Sequence, residues 1–328
     1  MSFLVCVLDV YAENVKKILT EEFEAEKDPR FVLKFAASYD REEQLALAEN
    51  ADFLVVGWPA VDAEMIEGAQ KLKAIHKWGI GYDGIDMEAV KARGIKLYIT
   101  AGVNAVPVSE LALLMMMTLL RRSAWADRGM RDGKWLKSEM RAVAHHLTHK
   151  KVGILGMGNI GKNLVKLLRG FDAEIAYHDA FRKSPDEENA LGVAYLPFEE
   201  LLRWCDVLSL HIPLTPETEH LIDASALEKM QPHAVLINTA RGRLVDQQAL
   251  VRALREGWIA GAGLDVFETE PLDEENPLLG MDNVVLTPHV GGATYNNVAN
   301  VARHVRRNLA ALARGDGSSI ASGDTVLG

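Results

Sequence analysis

Short apolar runs alternate along this chain with segments whose apolar residues recur at the three-to-four spacing of a helix. Runs at 3–8, 31–35, 53–56, 72–76 and 96–99 predict one set of strands. Helical patterns lie between them, as at 62–69 and at 87–93, the latter closed by Gly94. A second series of strands begins at Val152 and continues at 175–177, 207–212, 235–239, 263–266 and 284–287. Strands that are apolar on both faces and separated by helices belong in parallel sheets covered on both sides. The pattern therefore predicts an α/β protein with two doubly wound parallel-sheet units. A long apolar helical stretch, 108–122, stands between the two series, and a final helix is expected at 295–314. If that helix packs back on the first unit, the first domain is discontinuous. The tail 315–328 is rich in Gly and Ser and reads as poorly ordered.

Composition narrows the class. A length of 328 residues suggests about two domains, on a prior of ~150 residues each. The net charge of −10 argues against nonspecific binding to nucleic acid or an anionic membrane. The most apolar stretch, 111–120, is too short to span a bilayer and ends at Arg121-Arg122. Cys6 and Cys205 are the only cysteines, each inside an apolar run. They read as reduced core residues of a cytoplasmic chain, with no disulfide framework. The first residues lack a basic leader and read as the first strand.

The second series opens on the most specific local signal, Gly156-Met157-Gly158-Asn159-Ile160-Gly161 between an apolar run and an amphipathic helix. Gly156 permits a tight turn, Gly158 lets backbone approach a pyrophosphate, and Gly161 lets helix and strand pack closely. The pyrophosphate then meets the first turn of the helix, where Asn159 and Ile160 lie, and its N–H groups favour an anion. Asp179 ends the next apolar run, at a spacing that suits a carboxylate on the adenosine ribose. This is a Rossmann-type dinucleotide signature, and the cofactor expected is NAD.

Ligands of open α/β sheets bind at the carboxyl ends of the strands. Three side chains fall there: Arg241 after 234–239, Glu270 after the strand ending at Val266, and His289 after 284–288. Singly, each has an ordinary explanation as an ion pair, a turn residue or a structural histidine. Together they suit a 2-hydroxy or 2-keto acid. Arginine binds a carboxylate in bidentate fashion, and histidine exchanges the hydroxyl proton. A carboxylate beside histidine orients the ring and favours the imidazolium. Asp265 sits within an apolar strand, so it is either hydrogen-bonded locally or faces a cofactor.

Ordered motifs spread over the chain resemble the NAD-dependent D-isomer-specific 2-hydroxyacid dehydrogenases. They are Gly79-Ile80-Gly81-Tyr82-Asp83-Gly84-Ile85-Asp86, the glycine turn above, His211-Ile212-Pro213-Leu214-Thr215-Pro216-Glu217-Thr218 and Asn238-Thr239-Ala240-Arg241-Gly242. Gly263-Leu264-Asp265-Val266-Phe267-Glu268-Thr269-Glu270-Pro271 and Thr287-Pro288-His289-Val290-Gly291-Gly292 complete the set. The resemblance implies a Rossmann domain, 102–292, inserted in a flavodoxin-like substrate domain, 1–101 with 293–328. It implies that Arg241, Glu270 and His289 are catalytic, with Arg241 and the backbone of Ile80 and Gly81 holding the substrate carboxylate. Ile212, Pro213, Thr218, Thr239, Ala240, Asp265, Gly291 and Gly292 would line the cofactor. A homodimer is implied, with 108–122 and 125–149 at its interface.

The expected activity is hydride transfer between NAD(H) and a small unphosphorylated D-2-hydroxy or 2-keto acid, as in a glyoxylate or hydroxypyruvate reductase. A phosphoglycerate dehydrogenase is the alternative substrate assignment. The loop after the third strand reads Val55-Val56-Gly57-Trp58-Pro59, without the arginine that phosphoglycerate-specific members tend to have. Only Lys77 offers a positive charge nearby. An NAD-sensing corepressor-like interaction protein is the reading from a different class. His145, His146 and His149 form a histidine-rich segment without strict metal-ligand spacing, and no metal is expected.

Overall fold

The computed structural model describes residues 2–27 and 29–327. The chain folds as two compact units, Met1–Asn104 with Gly292–Gly328, and Ala105–Gly291. These breaks differ from the expected 101/102 and 292/293. The helix Ala105–Leu120 begins only after the Gly102–Asn104 turn, and Asn297 bonds both Asn104 and the Gly292 carbonyl within the first unit.

The first unit carries β1 (Ser2–Val7), β2 (Arg30–Phe35), β3 (Phe53–Val56), β4 (Ala74–Lys77) and β5 (Lys96–Tyr98). They pair in parallel in the order β2-β1-β3-β4-β5. Successive residues point to opposite faces of a strand. Val5 and Val7 accordingly join one core with the helices Glu13–Glu24 and Tyr295–Ala313, while Cys6 and Leu8 join another with Met65, Ile66 and Val90. The helix Tyr295–Ala313 thus closes the first unit from the far end of the chain.

The tail departs from expectation. Residues Thr325–Leu327 form a strand antiparallel to β5, and Asp324 is buried. Its carboxylate accepts from the Ala101 N–H and lies against His304 and Asn308, partners distant in sequence that tie the segment down. Gly328 lies outside the described residues.

The second unit carries β6 (Lys151–Leu155), β7 (Glu174–His178), β8 (Ala194–Tyr195), β9 (Val207–Leu210), β10 (Val235–Asn238), β11 (Gly261–Leu264) and β12 (Val284–Leu286); Thr325–Leu327 of the first unit is β13. The order is β8-β7-β6-β9-β10-β11-β12, all parallel. This is the doubly wound dinucleotide order with a seventh strand added, and it reverses direction between β6 and β9. Alternation again feeds two cores: Val235 and Ile237 pack with the helix Ala105–Leu120, and Leu236 with Leu227, Leu250 and Leu254. Both cysteines are buried and free. No helix among the described residues is long and apolar enough to cross a membrane.

Candidate active site

At the switch point of the second sheet, β6 runs into Gly156, which has φ +100°, and on to the helix Asn159–Leu168. A Cβ at Gly156 would come 2.5 Å from the His211 carbonyl oxygen, and one at Gly161 would come 2.3 Å from the Gly156 carbonyl oxygen. Both positions therefore require glycine. At Gly158 the space ahead of the backbone is open, and no side chain caps the helix start. Asp179 follows β7; its carboxylate accepts from Met157 N at 2.7 Å and from Phe181 N at 3.0 Å, which fixes it beside the glycine turn. Arg182 is drawn aside by a bidentate pair with Glu188, at 2.9 and 3.1 Å, and stacks over Tyr195. The Thr239 hydroxyl, at the end of β10, is buried with no hydrogen-bond partner among the described residues. An uncapped helix start, an open glycine, a carboxylate and an orphaned buried hydroxyl together fit a dinucleotide.

Neighbouring strands β10, β11 and β12 deliver Arg241, Glu270 and His289 to the same edge of this unit. Asn238 shapes the first loop: its amide nitrogen donates to the Arg241 carbonyl at 2.8 Å, and its oxygen accepts from Ala240 N at 3.1 Å. Glu270 is held from two sides, by Phe267 N at 3.0 Å on Oε1 and by His289 Nδ1 at 2.7 Å on Oε2. Burial raises the Glu270 pKa, but the bond and charge of His289, the Phe267 N–H and the Arg241 charge outweigh it and hold the carboxyl below its ordinary range. His289 itself sits at φ +53°, a left-handed backbone that a non-glycine residue adopts only when its surroundings impose it.

Asp265 supplies that constraint. Its carboxylate accepts from Thr287 Oγ1 at 2.5 Å, Val290 N at 2.8 Å and Gly291 N at 2.7 Å, and its carbonyl accepts from His289 N at 2.7 Å. The side chain is thus hydrogen-bonded locally and pins the turn that presents His289. Burial lifts its carboxyl above the usual carboxylate range despite these donors. Thr287 and Asn238, the residues that shape these two turns, were not singled out in the sequence, although each is a polar side chain at the end of an apolar strand. His211 is a third such residue; burial lowers its pKa to about 4, and its Nε2 lies 2.9 Å from Ser209 Oγ.

Of the remaining expected positions, Ile212, Pro213 and Thr218 lie in the loop after β9, where the Thr218 hydroxyl donates to the Pro213 carbonyl at 2.8 Å. Ile80 and Gly81 lie in the loop after β4 of the first unit, to which Gly292 also belongs. His146 and His149 bond the backbone carbonyls of Thr148 and Asp172, and no metal-holding group of three or more His, Cys, Asp or Glu occurs among the described residues.

Residues 113–291 match a family model described as the NAD binding domain of the D-isomer specific 2-hydroxyacid dehydrogenases. The chain is 42% identical over 312 residues to a protein of Thermococcus litoralis named glyoxylate reductase, covering 93% of this chain and 92% of that one. Among solved structures, it is similar to the NAD-dependent formate dehydrogenase of Staphylococcus aureus in complex with NAD, with a TM-score of 0.86, 27% identity and coverage of 100% and 99%. It is also similar to the apo D-lactate dehydrogenase of Escherichia coli, with a TM-score of 0.83, 28% identity and coverage of 95% and 98%.

Proposed function

The chain belongs to the D-isomer specific 2-hydroxyacid dehydrogenase family, and from that premise we propose that it is an NAD-dependent reductase of small, unphosphorylated 2-keto acids of the glyoxylate and hydroxypyruvate kind. The Glu270–His289 pair at 2.7 Å, delivered by the two strands that follow the one bearing Arg241 in the sheet, carries this reading. When bound, NAD(H) supplies or accepts the hydride. Arg241 holds the substrate carboxylate and carbonyl through its guanidinium fork.

His289, bonded to Glu270 through Nδ1, gives a proton from Nε2 to the carbonyl oxygen in reduction and takes it back in oxidation. Glu270 stays ionised at neutral pH, since its pKa is held low, and its charge favours the imidazolium that reduction needs. Asp179 receives the adenosine ribose, and Gly158 with the first turn of its helix receives the pyrophosphate. Ile212, Pro213, Thr218, Thr239, Ala240 and Gly291 line the cofactor.

The protein acts as a cytoplasmic homodimer in this reading. Support for the dimer comes from the second unit's surface, where Leu114, Met130 and Trp135 are exposed and the helix Lys137–Val143 buries no residue. A panel of 2-keto acids with NADH tests the function. Turnover of glyoxylate or hydroxypyruvate well above that of phosphohydroxypyruvate is expected. Tight NADH binding without turnover of any 2-keto acid would favour the corepressor-like reading instead.

A further inference from the structure

Within the second unit, the loop that carries Arg241 is gripped from two sides. It joins β10 to the helix Gln247–Glu256. On one side runs the stretch 218–222 of the loop after β9. There the His220 N–H donates to the Arg243 carbonyl at 2.8 Å, the Ile222 N–H to the Leu244 carbonyl at 3.0 Å, and the Asp246 N–H to the Ile222 carbonyl at 3.1 Å. The Glu219 carboxylate adds an ion pair with the Arg243 guanidinium. On the other side runs the loop after β11, whose Phe267 backbone packs directly on Gly242.

One side-chain contact joins the two flanks. His220 Nε2 lies 3.0 Å from Glu268 Oε1, and the same oxygen accepts the Gln247 N–H at 3.0 Å, at the start of the helix that follows the Arg241 loop. That helix start favours a carboxylate through its free N–H groups. His220 also has φ +50°, a left-handed backbone that a non-glycine residue holds only when its surroundings impose it. The strain falls on a residue whose backbone bonds the Arg241 loop and whose ring reaches past that loop to Glu268. Glu268 and Glu270, two positions apart, thus meet two different histidines: Glu270 meets His289, and Glu268 meets His220.

An arginine fork recognises a carboxylate only when its loop holds it in place, and a misplacement of about 1 Å can cost a large factor in rate. We infer that His220 and Glu268 are positioning residues: their contact straps the Arg241 loop between its two neighbours and fixes Arg241 relative to the His289–Glu270 pair. This rests on the reductase reading above and deepens it, since both residues act through Arg241 and neither touches the reacting atoms. The contact is partly exposed, and such pairs contribute little to stability. Its effect is therefore read in substrate binding rather than in unfolding.

The test combines reduction of glyoxylate by NADH with direct binding of NADH, and of oxamate, a non-reacting 2-keto acid analogue, to the NADH complex. His220→Asn keeps a residue that accepts a left-handed backbone but is too short to reach Glu268. Glu268→Ala removes the other partner, and His220→Gln keeps a donor of longer reach. His220→Asn and Glu268→Ala should each raise KM for glyoxylate and weaken oxamate about tenfold, with NADH affinity within about twofold. The pH dependence of turnover should stay in place, because His289 and Glu270 are untouched. His220→Gln should restore oxamate binding to within about twofold of wild type, and the double variant should be no worse than the weaker single one. Unchanged oxamate affinity in both single variants, or losses that add in the double variant, would overturn the inference and leave the reductase reading intact. Equal weakening of NADH and oxamate would also overturn it, because it marks a general loosening of the unit. If wild type binds NADH but reduces no 2-keto acid, the reductase reading falls and this inference with it.

Discussion

His289 Nδ1 lies 2.7 Å from Glu270 Oε2, while the other oxygen of the same carboxylate accepts the Phe267 N–H at 3.0 Å. The carboxylate is thereby oriented by its own turn before it meets the imidazole, and the ring's tautomer and direction follow from it.

Glu270→Gln keeps the shape and removes the charge. The sign follows from the lowered pKa of Glu270. The wild-type carboxylate is charged at neutral pH and favours the protonated ring, so its loss disfavours that ring. The pH above which ketone reduction declines should move down. Activity at neutral pH should then fall more than activity at acid pH. An unshifted profile in steady-state assays would remove the partner role.

Asp265 is only 1% exposed and fills the donors of Thr287, Val290 and Gly291. Asp265→Ala leaves the buried Gly291 N–H and the part-buried Thr287 hydroxyl and Val290 N–H without this acceptor. A loss of about 2–4 kcal/mol in urea unfolding is expected, from ~1–3 kcal/mol per unsatisfied group with partial relaxation. Because the same side chain holds the turn at His289, kcat should fall as well. A variant with wild-type stability would show that the turn holds itself.

The cofactor preference depends on where two charges point. Asp179 is fixed beside the glycine turn, where in the proposed reading it repels a ribose 2′-phosphate, while Arg182 is committed to Glu188. NADH should exceed NADPH in kcat/KM by about tenfold or more. Glu188→Ala frees the guanidinium, and combined with Asp179→Ser it should narrow or reverse that ratio. Equal use of both cofactors by the wild type would mean that Asp179 does not meet the ribose.

Gly242 couples the loop of Arg241 to that of Glu270. A Cβ there would lie 1.9 Å from the backbone carbon and oxygen of Phe267. Neither backbone atom can rotate away, so Gly242→Ala should cost about 2 kcal/mol or more. Thermal melting of this variant should show a clear decrease, together with reduced turnover. A melting temperature equal to wild type would contradict the close packing of the two loops.

Much of this fold was legible because its strands are buried on both faces. Runs such as Val235-Leu236-Ile237 serve two cores at once and stand out as uninterrupted apolar stretches. The glycine turn was legible because backbone geometry leaves no alternative to Gly156 or Gly161. What local pattern did not reveal depends on distant partners. The tail strand reads as polar and glycine-rich, yet Asp324 is buried through Ala101, His304 and Asn308. The two-residue strand β8 carries too few residues to show a period. Asp265 left two readings open in the sequence, and only the positions of Val290 and Gly291 show that its carboxylate is satisfied within its own turn.

The most direct test of the account is the His289→Asn variant, assayed for NADH oxidation with glyoxylate or hydroxypyruvate beside a direct measurement of NADH binding. The account predicts turnover lower by about 10²–10⁴-fold, the range for loss of a general acid–base group, with NADH affinity nearly unchanged. Turnover at the wild-type level in a variant that still binds NADH would contradict it.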